Sequence, residues 1–382
     1  MDRRPIRKAG GCPVGSEHQP ASTVAAEDVP GKQGLACGIQ RYCTPLFPLI
    51  GPLQHQFLRQ VELVWGDDLE GLKGTGIGFS APKDSLVERV VQDASQVETV
   101  TSMADFVFCA VDMPKAEIKA LEEAYARAEC PVVSNNSANR STPDVPMIIP
   151  ELNPEHAAVI PFQRQRLGTK RGFVAVKSNC SLQSYVPALF PLSKFGVEKA
   201  LVCTYQAISG AGKTFERWPE MVDNVIPYIG GEEEKSEQEP LKIWGKLENG
   251  VIVPAKSPAF TAQCLRVPVS DGHFAAVYCS FANKPSKEEI LETWRSYKGR
   301  AQELDLPSAP KQFLHYFEED NMPQTRLHRD LEGGMAISLG RLREDTQYDY
   351  KFVGLSHNTL RGAAGGAVLM AELLCAEGYM DR

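Results

Sequence analysis

No apolar run in this chain reaches the roughly 18 residues needed to span a bilayer, and no polybasic cluster marks a membrane anchor. Positive charge is also short: 41 Lys and Arg stand against 48 Asp and Glu, a net charge of −7. Nucleic-acid binding wants a basic face, so that class of partner is excluded. The ten cysteines contain no CxxC pair and no zinc-type Cys/His spacing. Several lie in strand-like apolar runs, around Cys109 and Cys279, and read as buried free thiols of a reducing compartment. An N-terminal apolar h-region is missing, so a cytoplasmic protein is expected. An intact GxGxxG is missing as well. Gly74-Thr-Gly76-Ile-Gly78 lacks the final spacing and opens no helix, so it reads as a turn. Gly34-Leu-Ala-Cys-Gly38 has two glycines and no apolar strand before it, a poor cradle for a pyrophosphate.

What is present fits two ordinary domains: 382 residues, 43% hydrophobic and 23% charged. Residues 1–33 are polar and rich in Pro, Gly, Ser and Ala, and are expected to form a disordered tail. From about 34 to 155 strands and helices alternate. Val61–Trp65, Asp105–Val111 and Pro131–Ser134 read as strands, and Pro114 opens a helix to about Ala128 with Ile118, Leu121 and Tyr125 on one face. This rhythm predicts an α/β, doubly wound, Rossmann-like parallel sheet. From about 172 the strands lengthen: Phe173–Val176, Ala200–Ile208, Phe274–Phe281, Met335–Leu342 and Tyr350–Leu355. Helices are sparse there, with one clear case at Lys287–Leu304. An α+β domain with a mainly antiparallel sheet is expected. A small-residue helix, Thr359–Glu377, closes the chain. The domains are then 34–177 with 357–382, and 178–356.

Four stretches have the residue types for chemistry. In Ser178-Asn179-Cys180-Ser181 a strand ends and a helix begins, so free N–H groups and the helix dipole would stabilise a thiolate. Taken alone the stretch reads rather as a helix cap, with Ser178 or Asn179 capping and Cys180 as filler. Arg266 and His273 follow in one segment; a guanidinium suits carboxylate recognition and an imidazole suits acid–base work, although an exposed turn fits the same residues. Gln206-Ala-Ile-Ser209-Gly210-Ala-Gly212 leaves a strand into a loop that lets backbone approach a ligand, or forms a plain turn. The charge run from Glu232 to Lys242 reads as a solvated helix face.

The order of these stretches resembles the aspartate-semialdehyde dehydrogenase family, in its fungal and archaeal branch. The resemblance covers about 270 residues from Asp105. It rests on Asn135-Asn-Ser-Ala-Asn-Arg140, Asp144-Val-Pro-Met-Ile-Ile-Pro-Glu151-Leu-Asn153, Ser-Asn-Cys180-Ser, Gln206-Ala-Ile-Ser-Gly-Ala-Gly, Pro227-Tyr-Ile-Gly-Gly-Glu-Glu, Arg266 to His273, Ser308-Ala-Pro-Lys311, and His357-Asn358-Thr-Leu-Arg-Gly-Ala-Ala-Gly-Gly. It implies an oxidoreductase of amino-acid biosynthesis interconverting L-aspartyl 4-phosphate and L-aspartate 4-semialdehyde with NADP(H). Cys180 is then the thioester-forming nucleophile, His273 the acid/base residue and Gln206 an orienting group. Arg266 clamps the carboxylate of a small acidic amino-acid-like substrate, and Glu239 meets its amino group. Lys242 and Arg140, with Asn139 beside it, contact phosphate. Gly38, Ser209, Gly210 and Asn358 fall on the cofactor side, no metal is implied, and the second domain pairs two chains into a homodimer or homotetramer.

Three departures qualify this. The family opens with an apolar strand and a Gly-Ala-Thr-Gly-x-x-Gly loop, where this chain has Lys32-Gln-Gly-Leu-Ala-Cys-Gly38-Ile-Gln-Arg41. Leu182 stands where threonine is usual, and Lys213 follows the Gly-Ala-Gly segment. NADP binding is therefore expected to be weakened or lost. A second reading stays open: a relative that uses the Cys180/His273 pocket without the cofactor, or serves as a binding subunit.

Overall fold

The computed structural model describes Asp93–Asp381, together with the backbone strand Cys37–Gly38. The expected tail at 1–33, the strand Val61–Trp65, the segment Gly74–Gly78 and the departures around Lys32–Arg41 other than Cys37–Gly38 lie outside the described residues.

Twelve strands are described: β1 Cys37–Gly38, β2 Val107–Cys109, β3 Val132–Ser134, β4 Val174–Val176, β5 Val197–Gln206, β6 Lys246–Glu248, β7 Val251–Val253, β8 Ala259–Arg266, β9 His273–Phe281, β10 Leu314–Phe317, β11 Ile337–Glu344 and β12 Tyr350–Ser356. The helices of eight or more α-helical residues are α1 Lys115–Arg127, α2 Ile160–Leu167, α3 Glu232–Ile243, α4 Lys287–Ser296 and α5 Gly365–Ala376.

Strands β2, β3 and β4 pair in parallel. Every residue of β3 and β4 is buried, as expected for strands covered on both faces. The helix α1 between β2 and β3 makes this a β-α-β crossover unit of the Rossmann-like class. Gly38, which the resemblance puts on the cofactor side, lies in a two-residue strand antiparallel to β2.

The second sheet runs β10-β11-β12-β9-β5-β8. Its three inner pairings are antiparallel, while β10–β11 and β5–β8 are parallel. Along β9 buried and half-buried residues alternate without a break, so one face packs on the core and the other does not. Register brings the ends of four strands together. Gln206 pairs with Arg266, Tyr205 with Phe274, and His273 with Ser356. Arg266, Gln206, His273 and Ser356 thus form a row across one end of the sheet.

Two expectations are corrected. The helix Lys287–Leu304 is broken: α4 stops at Ser296 and a short turn resumes at Arg300–Glu303. Gly299 is extended between them, and a Cβ there would lie 2.3 Å from Glu151 O, so the backbone must pass Glu151 where no side chain fits. The charge run is not a solvated face. On α3 Glu232, Ser236, Glu239 and Ile243 recur at helical spacing and all are buried.

Candidate active site

The segment after β4 turns through Ser178 and Asn179 into Cys180. No α-helix begins there. Ser181–Ser184 form a single 3₁₀ turn, all four residues buried, before a second short helix at Val186–Leu189. One such turn lacks the summed dipole of a long helix, so the expected dipole activation of the thiol is not available. Leu182 in this turn is fully buried and serves packing. The turn is held by Asn179, whose Oδ1 accepts from Ser181 N (2.8 Å) and Oγ (2.7 Å).

Cys180 Sγ lies 3.4 Å from His273 Nε2. The backbone N–H of Ala207 donates to His273 Nδ1 at 3.1 Å. Nδ1 is therefore the acceptor nitrogen and Nε2 carries the proton of the neutral ring. Burial, with the charges of Arg266 and His357, pushes the His273 pKa down to about 3. Neutral His273 thus presents Nε2–H to the sulfur and has no free lone pair with which to take the thiol proton. Burial and the neighbouring Glu232 push the Cys180 thiol up, while Lys177, Arg140 and Arg266 pull it down.

A shell of charged groups surrounds the pair. Arg266 is buried, not an exposed turn residue, and its Nη1 donates to Ala207 O at 2.6 Å. Gly210 fits against both: a Cβ there would lie 2.9 Å from Arg266 Nη1 and 2.9 Å from His273 Cε1. Gln206 Nε2 donates to Glu232 Oε2 (3.2 Å), and Asn179 Nδ2 donates to both Glu232 oxygens (3.0 Å each). Glu239 accepts from Asn179 N (2.6 Å) and from Arg140 Nη1 (2.9 Å). Arg140 Nη2 donates to Asn135 O, while its Nε is buried with no partner among the described residues. Asn139 is buried and donates to Glu122 Oε2, which anchors the loop before Arg140. Asn358 Nδ2 donates to Ser209 Oγ (2.9 Å) and its Oδ1 accepts from Gly272 N (2.7 Å).

Lys242 departs from its expected place at phosphate. Its Nζ donates to the carbonyls of Arg140, Thr142 and Val145 at 2.7, 2.7 and 2.8 Å, so all three protons are spent on the loop. Four residues here escaped the sequence reading as site residues. Glu232 shares the α3 face of Glu239 at heptad spacing, a signal hidden by the surrounding acidic run. Arg361 and Glu151 form a buried bidentate ion pair, both arms at 2.6 Å, on motifs read only as resemblance. Lys177 is 3% exposed and ends the apolar run Phe173-Val-Ala-Val, where a lone charge in a buried strand was the available signal.

A thiol paired with a neutral imidazole and flanked by guanidinium groups, where a strand of the parallel sheet ends beside the end of the mixed one, marks an enzyme of the thiol-nucleophile class. Comparison with known proteins narrows the class to an oxidoreductase. A family model described as "Semialdehyde dehydrogenase, NAD binding domain" matches residues 59–160, and one described as "Semialdehyde dehydrogenase, dimerisation domain" matches 189–361. The aspartate-semialdehyde dehydrogenase of Archaeoglobus fulgidus is 41% identical over 84% of this chain and 88% of its own. That of Aspergillus fumigatus is 42% identical over 68% of this chain and 74% of its own. The crystal structure of the Candida albicans enzyme with NADP superposes with a TM-score of 0.71 at 36% identity, covering 79% of this chain and 86% of that one. The chain belongs to the aspartate-semialdehyde dehydrogenase family.

Proposed function

We propose that the chain interconverts L-aspartyl 4-phosphate and L-aspartate 4-semialdehyde, with Cys180 as nucleophile. The observation that supports this above others is the Cys180–His273 contact with Arg266 beside it. Sγ attacks the acyl carbon and phosphate leaves, giving a thioester. Arg140 Nε, a buried donor without a partner among the described residues, suits the departing phosphate. Arg266 pairs with the substrate carboxylate, and Glu239 retains acceptor lone pairs for its ammonium group. His273 Nε2–H donates to the substrate oxygen as negative charge develops there. Gln206, tied to Glu232, orients the acyl group.

The residues that would hold the nicotinamide side of a dinucleotide are Asn358 and Ser209, bonded to each other at 2.9 Å, and Gly210, whose bare backbone packs closely on His273. When bound, NADPH supplies the hydride for the acyl carbon. The weakened NADP affinity expected from the Lys32–Arg41 stretch stays part of the proposal. The boundaries 34–177 with 357–382, and 178–356, put Cys180 just inside the second domain. The seven described cysteines are free thiols, which supports a cytoplasmic setting, and no described helix is long and apolar enough to cross a membrane.

The test is NADPH formation from L-aspartate 4-semialdehyde and phosphate by the purified full chain, beside a calorimetric NADPH titration. Turnover lost in Cys180→Ala supports the reading. No turnover by the native chain, at NADP concentrations that saturate it, refutes it. The half-exposed face of the second sheet, with Leu201, Tyr205, Phe274 and Tyr278 on β5 and β9, suits a second copy of the chain. Light scattering is expected to give at least twice the 42.0 kDa of one chain.

A further inference from the structure

His273 cannot supply a positive charge to the sulfur, because Ala207 N–H occupies Nδ1. The charge that stabilises a thiolate must come from elsewhere. Around Cys180 the carboxylates have partners: Glu232 with Lys235 at 2.7 Å, Glu239 with Arg140 at 2.9 Å, and Glu151 with Arg361 at 2.6 Å. His357, the remaining titratable group near His273, is itself shifted toward the neutral form, chiefly by burial. Two cations near the sulfur have no carboxylate partner among the described residues, Arg266 and Lys177. Arg266 is reserved for the substrate carboxylate. Lys177 remains.

Its placement fits. Lys177 lies three residues before Cys180, and Nζ spends one of its three donors, on Ser178 O at 3.1 Å. Its stem packs on the helical turn leading into α5, where a Cβ on Gly366 would lie 2.7 Å from Lys177 Cε. A Cβ on Gly362 would lie 2.9 Å from Cys180 Cβ. Gly362 and Gly366 are four residues apart on one helical path, so the two side chains sit against neighbouring turns of the same face.

We propose that Lys177 is a positioning residue of the nucleophile, its ammonium acting as the counter-ion that holds Cys180 Sγ as a thiolate. The proposal rests on Cys180 being the nucleophile. Burial pushes the Lys177 ammonium down to about 7 against the opposing pull of the Cys180 sulfur, the largest of the influences that favour its charge. Each partner thus favours the other's ionised form, the lysine buried and the sulfur half-buried beside it.

The experiment is the pH dependence of Cys180 carbamidomethylation by iodoacetamide on the full chain, read at peptide level by mass spectrometry. In Lys177→Met the midpoint is expected to rise by about one pH unit, so that labelling at pH 7 slows roughly tenfold, while Lys177→Arg keeps the native profile. A native profile in Lys177→Met, or an equal loss in Lys177→Arg, overturns the proposal. Should Lys177→Met not fold, native protein carrying ¹³Cε-lysine serves instead. Capping Cys180 with iodoacetamide is expected to move the buried lysine's titration to lower pH, and an unmoved titration overturns the pairing. Loss of the dehydrogenase reading would appear separately, as absent NADPH turnover with the labelling profiles intact.

Discussion

Replacing Arg361 with methionine removes one half of the most deeply buried ion pair described. Both guanidinium arms lie 2.6 Å from the Glu151 oxygens, with the two side chains 1% and 0% exposed. Arg361 Nε also donates to Gln183 Oε1 at 3.0 Å, and its Cζ stands 4.7 Å from the centroid of the Phe313 ring. Methionine can fill much of the volume but leaves the Glu151 carboxylate desolvated and unpaired. Breaking a buried pair this way costs about 3–5 kcal/mol. Glu151→Leu strands the guanidinium instead and should cost a similar amount. The double variant Arg361→Met/Glu151→Leu removes both charges and should lose far less than the sum, because an apolar pair of similar volume often matches a buried ion pair. Urea denaturation followed by circular dichroism gives the three differences from the midpoints and slopes. Arg361 lies in the turn Leu360–Ala364, where Gly362 abuts Cys180, so Arg361→Met should also alter the labelling rate of Cys180. A loss below about 1 kcal/mol in either single variant, or full additivity in the double, would refute this account of the pair.

Other outcomes follow from the same site. Iodoacetamide should label Cys180 before Cys130, Cys279 or Cys375, whose pKa values burial pushes up to about 12; a different first-labelled cysteine among these four would remove Cys180 from its role. Gly210→Ala should cut kcat on the order of 100-fold by displacing Arg266 and His273, with the melting temperature nearly unchanged, and native kcat would show that the loop moves aside freely. The kcat/KM profile should show no limb between pH 5 and 8 from His273, since its folded value of about 3 keeps it neutral there; an inflection near 6.5 that disappears in His273→Asn would contradict the locked tautomer.

Much of the fold was legible because its signals are local. The apolar runs at Val132–Ser134 and Val174–Val176 are covered on both faces and that at Val107–Cys109 nearly so, with Phe108 half-buried, and a covered strand has little other composition open to it. The pairing of Cys180 with His273 was legible only through the order of motifs. Cys180 and His273 are 93 residues apart, and what joins them is the register of β9 beside β5 and β12, which no local pattern encodes. Errors arose where tertiary burial overrode local appearance. The acidic run became a buried face because each inward carboxylate found donors, as Glu232 did in Asn179, Gln206 and Lys235. Lys242 was read as a ligand contact because a lysine's type shows charge but not that three carbonyls will consume its protons. The break before Gly299 depends on Glu151, far away in sequence, and nothing near residue 299 announces it.

Glu372 on α5 offers the cleanest test of burial energetics away from the site. It is 6% exposed and accepts from Ser308 N at 2.9 Å and from Ser308 Oγ at 2.7 Å. No cation pairs with it among the described residues, and burial raises its pKa from 4.5 to about 7, against the opposing pull of the two Ser308 bonds. The folded value lies above the unfolded one, so the stabilising contribution of the neutral acid is full below about pH 4.5 and is lost as pH rises through 7. A shift of this size corresponds to roughly 3 kcal/mol between the two limits. Glutamine imitates the neutral acid, since its carbonyl can accept from Ser308 N while its amide donates to Ser308 Oγ. Glu372→Gln should therefore match the native chain near pH 5 and exceed it in urea stability by roughly 2–3 kcal/mol at pH 8. The comparison between pH values matters more than either value, because any packing defect of the glutamine enters both. A stability difference that does not change between pH 5 and 8 would mean that Glu372 is already ionised in the folded chain at the lower pH, and that the two Ser308 bonds alone are enough to hold a carboxylate in this core.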